Sequence, residues 1–169
     1  MFNSVKFSLL FILFSLSGCS GPWDEAVFPI EAYRAGFLLK DKIQIRRGDA
    51  YTFFLAFNCA DCPSNRARAD EYFNLLQWKV GSNNSASIPV RMKVSKEGRV
   101  YLDGIYNVNY FPASIFIHAP DKIQVSIGRI GGAKLEPGVY DFELEVLKDD
   151  SRLEKYRSFL LMQYFNPKV

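Results

Sequence analysis

Residues 135–146 read Leu-Glu-Pro-Gly-Val-Tyr-Asp-Phe-Glu-Leu-Glu-Val, and their pattern decides the class of fold. From Tyr140 onward apolar and acidic residues alternate: Tyr140, Phe142, Leu144 and Val146 against Asp141, Glu143 and Glu145. A period of two sends one set to a buried face and the other to water, which describes a half-buried β-strand. Pro137-Gly138 ahead of it suits the central positions of a type II turn, where glycine takes positive φ at no steric cost.

The same period recurs on either side. Tyr51, Phe53, Leu55 and Phe57 share one face, with Thr52, Phe54 and Ala56 on the other. Ile88, Val90, Met92 and Val94 alternate with Pro89, Arg91, Lys93 and Ser95, and the proline marks an edge or a strand start. Residues 100–106 read as the hairpin partner of that strand across Lys96-Glu97-Gly98. Shorter alternations occupy residues 42–45 and 123–128, and a final strand reads over about 158–165. About seven short strands separated by turns predict an all-β, immunoglobulin-like two-sheet β-sandwich. Tyr140, just past a Pro-Gly turn, resembles the tyrosine corner of immunoglobulin-like domains, whose hydroxyl bonds back to the backbone. One α-helix is inserted over residues 65–79. There Ala69, Tyr72, Phe73 and Leu76 fall at helical spacing, with Arg66, Arg68, Asp70 and Glu71 outward, Ser64 as N-cap and Gly81 as stop.

At 169 residues the chain has room for one domain. Fifteen Phe and nine Tyr exclude a disordered chain, and a formal charge of +3, scattered along the sequence, gives no argument for nucleic acid. The one long apolar run, residues 7–16, is too short to span a bilayer and reads as a secretory signal. Leu16-Ser17-Gly18-Cys19 behind it resembles a bacterial lipobox, in which small residues fit the peptidase and the cysteine thiol accepts the acyl group. This predicts a signal peptide over 1–18, lipidation of Cys19, a tether over 19–27 and the sandwich over 28–169. Ser20, by resemblance to known lipoproteins, favours the outer membrane, with the domain facing the periplasm.

Two cysteines remain in the exported part, Cys59 and Cys62, spaced Cys-Ala-Asp-Cys. In an oxidising compartment they read as a structural disulfide, with a redox-active pair or free thiols as the other readings. The chain elsewhere offers no alternating β/α pattern of the kind a thioredoxin-like site needs. One histidine and two close cysteines cannot fill the four positions of a zinc site without carboxylates, and no metal or other cofactor is expected.

Phe28-Pro29-Ile30, Ala35-Gly36, the strand over 51–57, Asn65-Arg66-Ala67-Arg68, Ile88-Pro89-Val90-Arg91-Met92-Lys93 and the Leu-x-Pro-Gly-x-Tyr turn together carry a resemblance. They are similar to a family of small bacterial lipoproteins catalogued only as a domain of unknown function, over roughly 28–165. The resemblance implies a β-rich exported domain and supplies no catalytic residues.

Chemistry-bearing patterns are sparse. His118, the single histidine, could serve as a general base oriented by Asp121 or Asp103, yet no nucleophile elbow accompanies it. Asp141, Glu143 and Glu145 read as a solvated strand face, and Gly128-x-x-Gly131-Gly132 as a turn. Residues 103–113 read as a loop carrying Tyr106, Tyr110 and Phe111 among Asn, Gly and Pro. Tyrosine gives much contact area for little lost entropy, so these three are candidate protein-binding residues. Arg66 and Arg68 on the helix are a second candidate surface. The expectation is a non-enzymatic lipoprotein that binds another protein, in one version an immunity protein against a toxin such as a type VI secretion effector. An envelope accessory binding cell-wall or secretion components is the alternative, and a hydrolase using His118 the third reading.

Overall fold

The computed structural model describes residues 25–76, 85–118 and 122–164, without the side chain of His118. The predicted signal segment, Cys19, the helix stop at Gly81 and Asp121 lie outside these residues. The described residues form nine strands, β1 (Glu25–Ile30), β2 (Leu38–Ile45), β3 (Asp49–Asn58), β4 (Ile88–Lys96), β5 (Arg99–Val108), β6 (Ala113–His118), β7 (Lys122–Leu135), β8 (Gly138–Val146) and β9 (Arg157–Tyr164), of which the edge strands β1 and β6 are not marked by alternation in the sequence. Helix α1 (Arg66–Leu76) follows β3. The strands form two antiparallel sheets, a five-stranded one in the order β1-β9-β3-β7-β6 and a four-stranded one in the order β2-β8-β4-β5. The all-β two-sheet sandwich with one inserted helix is therefore the observed architecture. The sandwich begins at Glu25, within the stretch expected to be tether, because β1 pairs along β9 from Glu25↔Gln163 to Ile30↔Ser158.

The inward faces are those the alternation assigns. Tyr51, Phe53, Leu55 and Phe57 of β3 join Val90, Met92 and Val94 of β4 and Tyr140, Phe142, Leu144 and Val146 of β8 in one buried cluster. Each such side chain contributes roughly 1.5–3 kcal/mol when fully buried, so this interior dominates the stability. Contacts across the gap include Phe28 on Phe142, with ring centroids 4.7 Å apart. Opposite, Asp141 and Glu143 meet Lys42 and Lys40 at 3.6 and 3.2 Å in water, the solvated ladder expected of that face.

Two turns fix register. The β4–β5 hairpin closes through Glu97 (φ 52) and Gly98 (φ 80), the doubly positive pair of a type I′ turn whose twist matches the strands. At the entrance to β8, Gly138 has φ 147 and the Tyr140 hydroxyl closes the corner. It accepts from the Glu136 amide (3.0 Å) and donates to the Glu136 carbonyl (3.1 Å), the geometry of a tyrosine corner.

Other expectations need correction. Gly128, Gly131 and Gly132 are not a turn; they lie inside β7, beside a bulge opposite Phe53 and Phe54. Neighbouring side chains require the small residues. A Cβ on Gly128 would sit 2.6 Å from Phe111 Cε1 and Val108 Cγ1, and one on Gly131 would meet the Tyr106 ring at 3.2 Å. Residues 103–108 belong to β5, so the connection to β6 shortens to 109–112. Within it Phe111 is 0% exposed and meets Phe57 edge-on at 5.5 Å, so it seals the sandwich end and offers no recognition surface. Tyr106 is half-buried against the interior, and Tyr110, at 53% exposed, faces water.

Two substitutions test this corner in urea unfolding. Gly128→Ala overpacks the contact with Phe111 and should cost about 1–3 kcal/mol. Tyr140→Phe removes both corner bonds and should cost about 1–2 kcal/mol with an unchanged denaturant slope. Unaltered midpoints for both would contradict the packing described.

Candidate functional site

After β3 the chain leaves the sheet through Cys59, whose disulfide with Cys62 closes a one-turn loop with the Cα atoms 5.4 Å apart. A short 3-10 turn (Cys62–Ser64) leads into α1. The helix is capped by Asn65, one residue beyond the expected Ser64. The Asn65 side chain accepts from the Arg68 amide at 3.0 Å, whereas the Ser64 hydroxyl turns back to the Asp61 carbonyl. With that start, Tyr72, Leu75 and Leu76 form the buried stripe. Leu75 completes it in place of Phe73, which lies at the stripe's margin and is 45% exposed.

Tyr72 anchors the helix to the sheet. Its hydroxyl donates to the Phe57 carbonyl at 2.6 Å, and its ring meets Tyr156 at 5.0 Å and Phe73 at 5.6 Å. Burial pushes its hydroxyl up to a pKa of about 12, so the bond is made by the neutral phenol throughout the ordinary pH range. On the exposed side, the Glu71 carboxylate accepts from Lys155, which holds it below the usual range for a glutamate.

Between α1 and the ends of β6 and β7 lies an open groove of about 620 Å³. Cys59, Cys62, Pro63, Ala69, Tyr72 and Phe73 form one wall, and Ser114 with residues 123–126 the other. The Arg157 guanidinium stands at its side and donates twice to Asn58 Oδ1, at 3.1 and 2.9 Å. Asn58 in turn donates to the Gln124 carbonyl at 2.9 Å, so one side chain ties β9, β3 and β7 together beside the groove. The Ser114 and Ser126 hydroxyls lie 3.5 Å apart across β6 and β7. The lining is mostly apolar, with a few convergent polar groups, the composition of a binding site.

Among the described residues expected to act, only the disulfide belongs to this groove. Arg66 and Arg68 stand on the exposed and half-exposed sides of α1, and His118 closes β6 with its side chain outside the described set. Tyr110, in the connection between β5 and β6, is not among the groove-lining residues. Sequence reasoning missed Phe73, Asn58, Ser114, Ser126 and Arg157 as one site. The CxxC motif and the helix behind it were the available signal for its first wall. Nothing in the sequence announces a pair such as Arg157 and Asn58, separated by 99 positions.

Two measurements check the wall. Thiol titration of the unfolded, unreduced protein should find no free thiol from Cys59 and Cys62; two would refute the bridge. For Tyr72, the unfolded phenol ionises near pH 10 and the folded one near 12. The folded state therefore retains its proton longer, and this stabilisation, about 2–3 kcal/mol, is full below pH 10 and lost as the pH rises to about 12. Phenolate absorbance from Tyr72 should develop together with unfolding; a Tyr72 that ionises at pH 10 in the folded protein would contradict its burial.

The arrangement has parallels among known proteins. The crystal structure of GEBA250068378 from Sulfurospirillum deleyianum superposes with a TM-score of 0.64 at 13% identity, covering 85% of this chain and 98% of that one. At that identity the likeness is one of fold. Among curated proteins none matches this chain. A family model described as a domain of unknown function, DUF5625, matches residues 27–164, from β1 to the last residue of β9. The chain belongs to that family.

Proposed function

We propose that this protein is a non-enzymatic lipoprotein, acylated at Cys19 and held at the outer membrane, whose periplasmic sandwich binds another protein through the groove beside α1. The observation that carries the reading is the groove itself. It is a preformed apolar concavity of about 620 Å³, edged by the exposed Phe73 ring and the Arg157 guanidinium. Aromatic and arginine side chains are the residue types that most often dominate binding energy at protein interfaces. The groove's walls are held by the disulfide, the Tyr72 bond and the Asn58–Arg157 tie, so little conformational entropy is lost when a partner docks.

The partner class this suits best is a toxin delivered by a neighbouring cell, which makes the chain an immunity protein. Occluding a toxin needs a rigid complementary surface and no bond-breaking. The lining side chains are apolar, hydroxyl and amide groups with one guanidinium, which suits a contact surface. The anchor reading draws on Leu16-Ser17-Gly18-Cys19 and the apolar run before it.

Co-expression with a toxin encoded beside this gene tests the proposal. The unaltered protein should relieve toxicity. Phe73→Ala should accumulate equally and weaken toxin binding by about tenfold, while Ile105→Ala on the opposite sheet should bind as before. Protection by Phe73→Ala at unchanged affinity would remove the groove from the account. Recovery of only cell-wall or secretion components would replace immunity by an envelope role. Mass spectrometry of the N-terminal peptide should show acyl chains on Cys19.

A further inference from the structure

Among the described residues, four strands stand at sheet edges, β1 and β6 in one sheet and β2 and β5 in the other. An edge strand presents a row of unpaired amides and carbonyls, a template on which another chain can add a strand. Three of the four edges carry devices that discourage this. β1 holds Pro29, which has no amide to donate, β2 holds Lys40, Asp41 and Lys42, and β5 holds Arg99, Asp103 and Gly104. β6 holds none. Its residues 113–117 read Ala-Ser-Ile-Phe-Ile, with no charge, proline or glycine and with three residues of strand-favouring type. β7 pairs with it from Ala113↔Ile127 to His118↔Lys122, and no described strand lies on its other side.

The side chains leave this edge open. Phe116 is 56% exposed and Ser114 is exposed, although Ile117, on the other face, is buried. By alternation Ser114 and Phe116 share a face. Ser114 lines the groove beside α1, and so does Gln124, the residue opposite Phe116 in the register. Edge and groove are therefore one continuous surface. A strand added along β6 would set every second side chain beside Phe116 and toward that concavity of about 620 Å³.

Charge says what kind of segment fits. The groove lining has one guanidinium, Arg157, and no carboxylate. The Lys122 ammonium lies 4.9 Å from the centroid of the Phe116 ring. Strands β3 and β6 both run antiparallel to β7, so the pairs Asn58↔Arg157 and His118↔Lys122 put these two cations at the same end of the sheet. An acidic side chain at that end of an added strand would be attracted to both. A second copy fits worse. Two-fold pairing of β6 with β6 would set groove beside groove and leave both unfilled. It would also engage only six residues of strand per chain, against the roughly 20–30 residues a side of a stable interface.

We propose that β6 is the docking edge of this protein. An extended segment of the partner, apolar at every second position and carrying an acidic residue, adds to the five-stranded sheet as a further strand. This deepens the groove reading above and rests on it for the partner's being a protein.

The test pans the full chain, in detergent micelles, against phage-displayed linear dodecapeptides and maps the selected peptides by hydrogen exchange. Selected sequences should alternate apolar and polar residues with Asp or Glu among them. Bound peptide should slow exchange several-fold at amides of residues 113–118 and leave β1, β2 and β5 unchanged. Phe116→Lys, a charge on the edge at an exposed position, should weaken binding about tenfold with a thermal midpoint close to that of the unaltered protein. Lys122→Glu should weaken acid-bearing peptides and spare their Gln counterparts. Protection of β1 or β5 instead, equal binding to the Phe116→Lys chain, or a library that yields no binder would each overturn strand addition. So would a dimer joined through β6. Binding lost in Phe73→Ala but without β6 protection would keep the groove as a protein site and remove the edge from it. Protection of β6 that is indifferent to Phe73→Ala would do the reverse.

Discussion

The contact that most of the structure depends on is the one at Gly128, where the missing side chain admits the Phe111 ring and the Val108 methyl against β7. There the chain passes from the four-stranded sheet to the edge of the five-stranded one. With the gap filled, Phe111 meets Phe57 edge-on, and the carbonyl of Phe57 accepts from Tyr72. Tyr72 fixes α1, and α1 with the disulfide forms one wall of the groove. A corner residue of the sandwich is thus linked to the candidate binding site through three successive contacts. Phe111, one of the three aromatic rings read from the sequence as recognition elements, is used for closure. The one beside Tyr72, Phe73, stays exposed at the edge of the groove.

The two sheets differ in their outer faces. Lysines and acids alternate along β2 and β8, and such exposed pairs contribute little stability, so that face is built for solvation. The five-stranded sheet is apolar on both faces, and the residues of its outer cluster are buried, between 0% and 9% exposed. The groove opens at the ends of β6 and β7, where that sheet meets α1.

Local periodicity made the sandwich legible, because a strand with one wet face writes its burial into every second residue. Residues 140–146 show this directly, whereas in β3 only the inner face, Tyr51, Phe53, Leu55 and Phe57, follows the rule, since Phe54 and Ala56 on the other face are apolar too. Legibility failed where burial came from residues distant in sequence. The glycines of β7 look like a turn until Tyr106 and Phe111 are seen against them. Phe111 sits in an Asn- and Pro-rich stretch, yet it is core because Phe57 lies opposite. Helical spacing alone favoured Phe73 over Leu75, and docking of Tyr72 on the sheet reversed that choice. The groove's polar side was illegible, since Arg157 and Asn58 meet only through the pairing of β9 with β3.

The central claim is that the surface mounted on α1 makes the functional contact. Incorporating a photo-crosslinking side chain at position 73, and in a separate protein at position 105 of the charged sheet, tests it most directly in the living envelope. The account predicts a discrete protein adduct from position 73 and none from position 105. An adduct from 105 alone, or equal adducts from both, would contradict it.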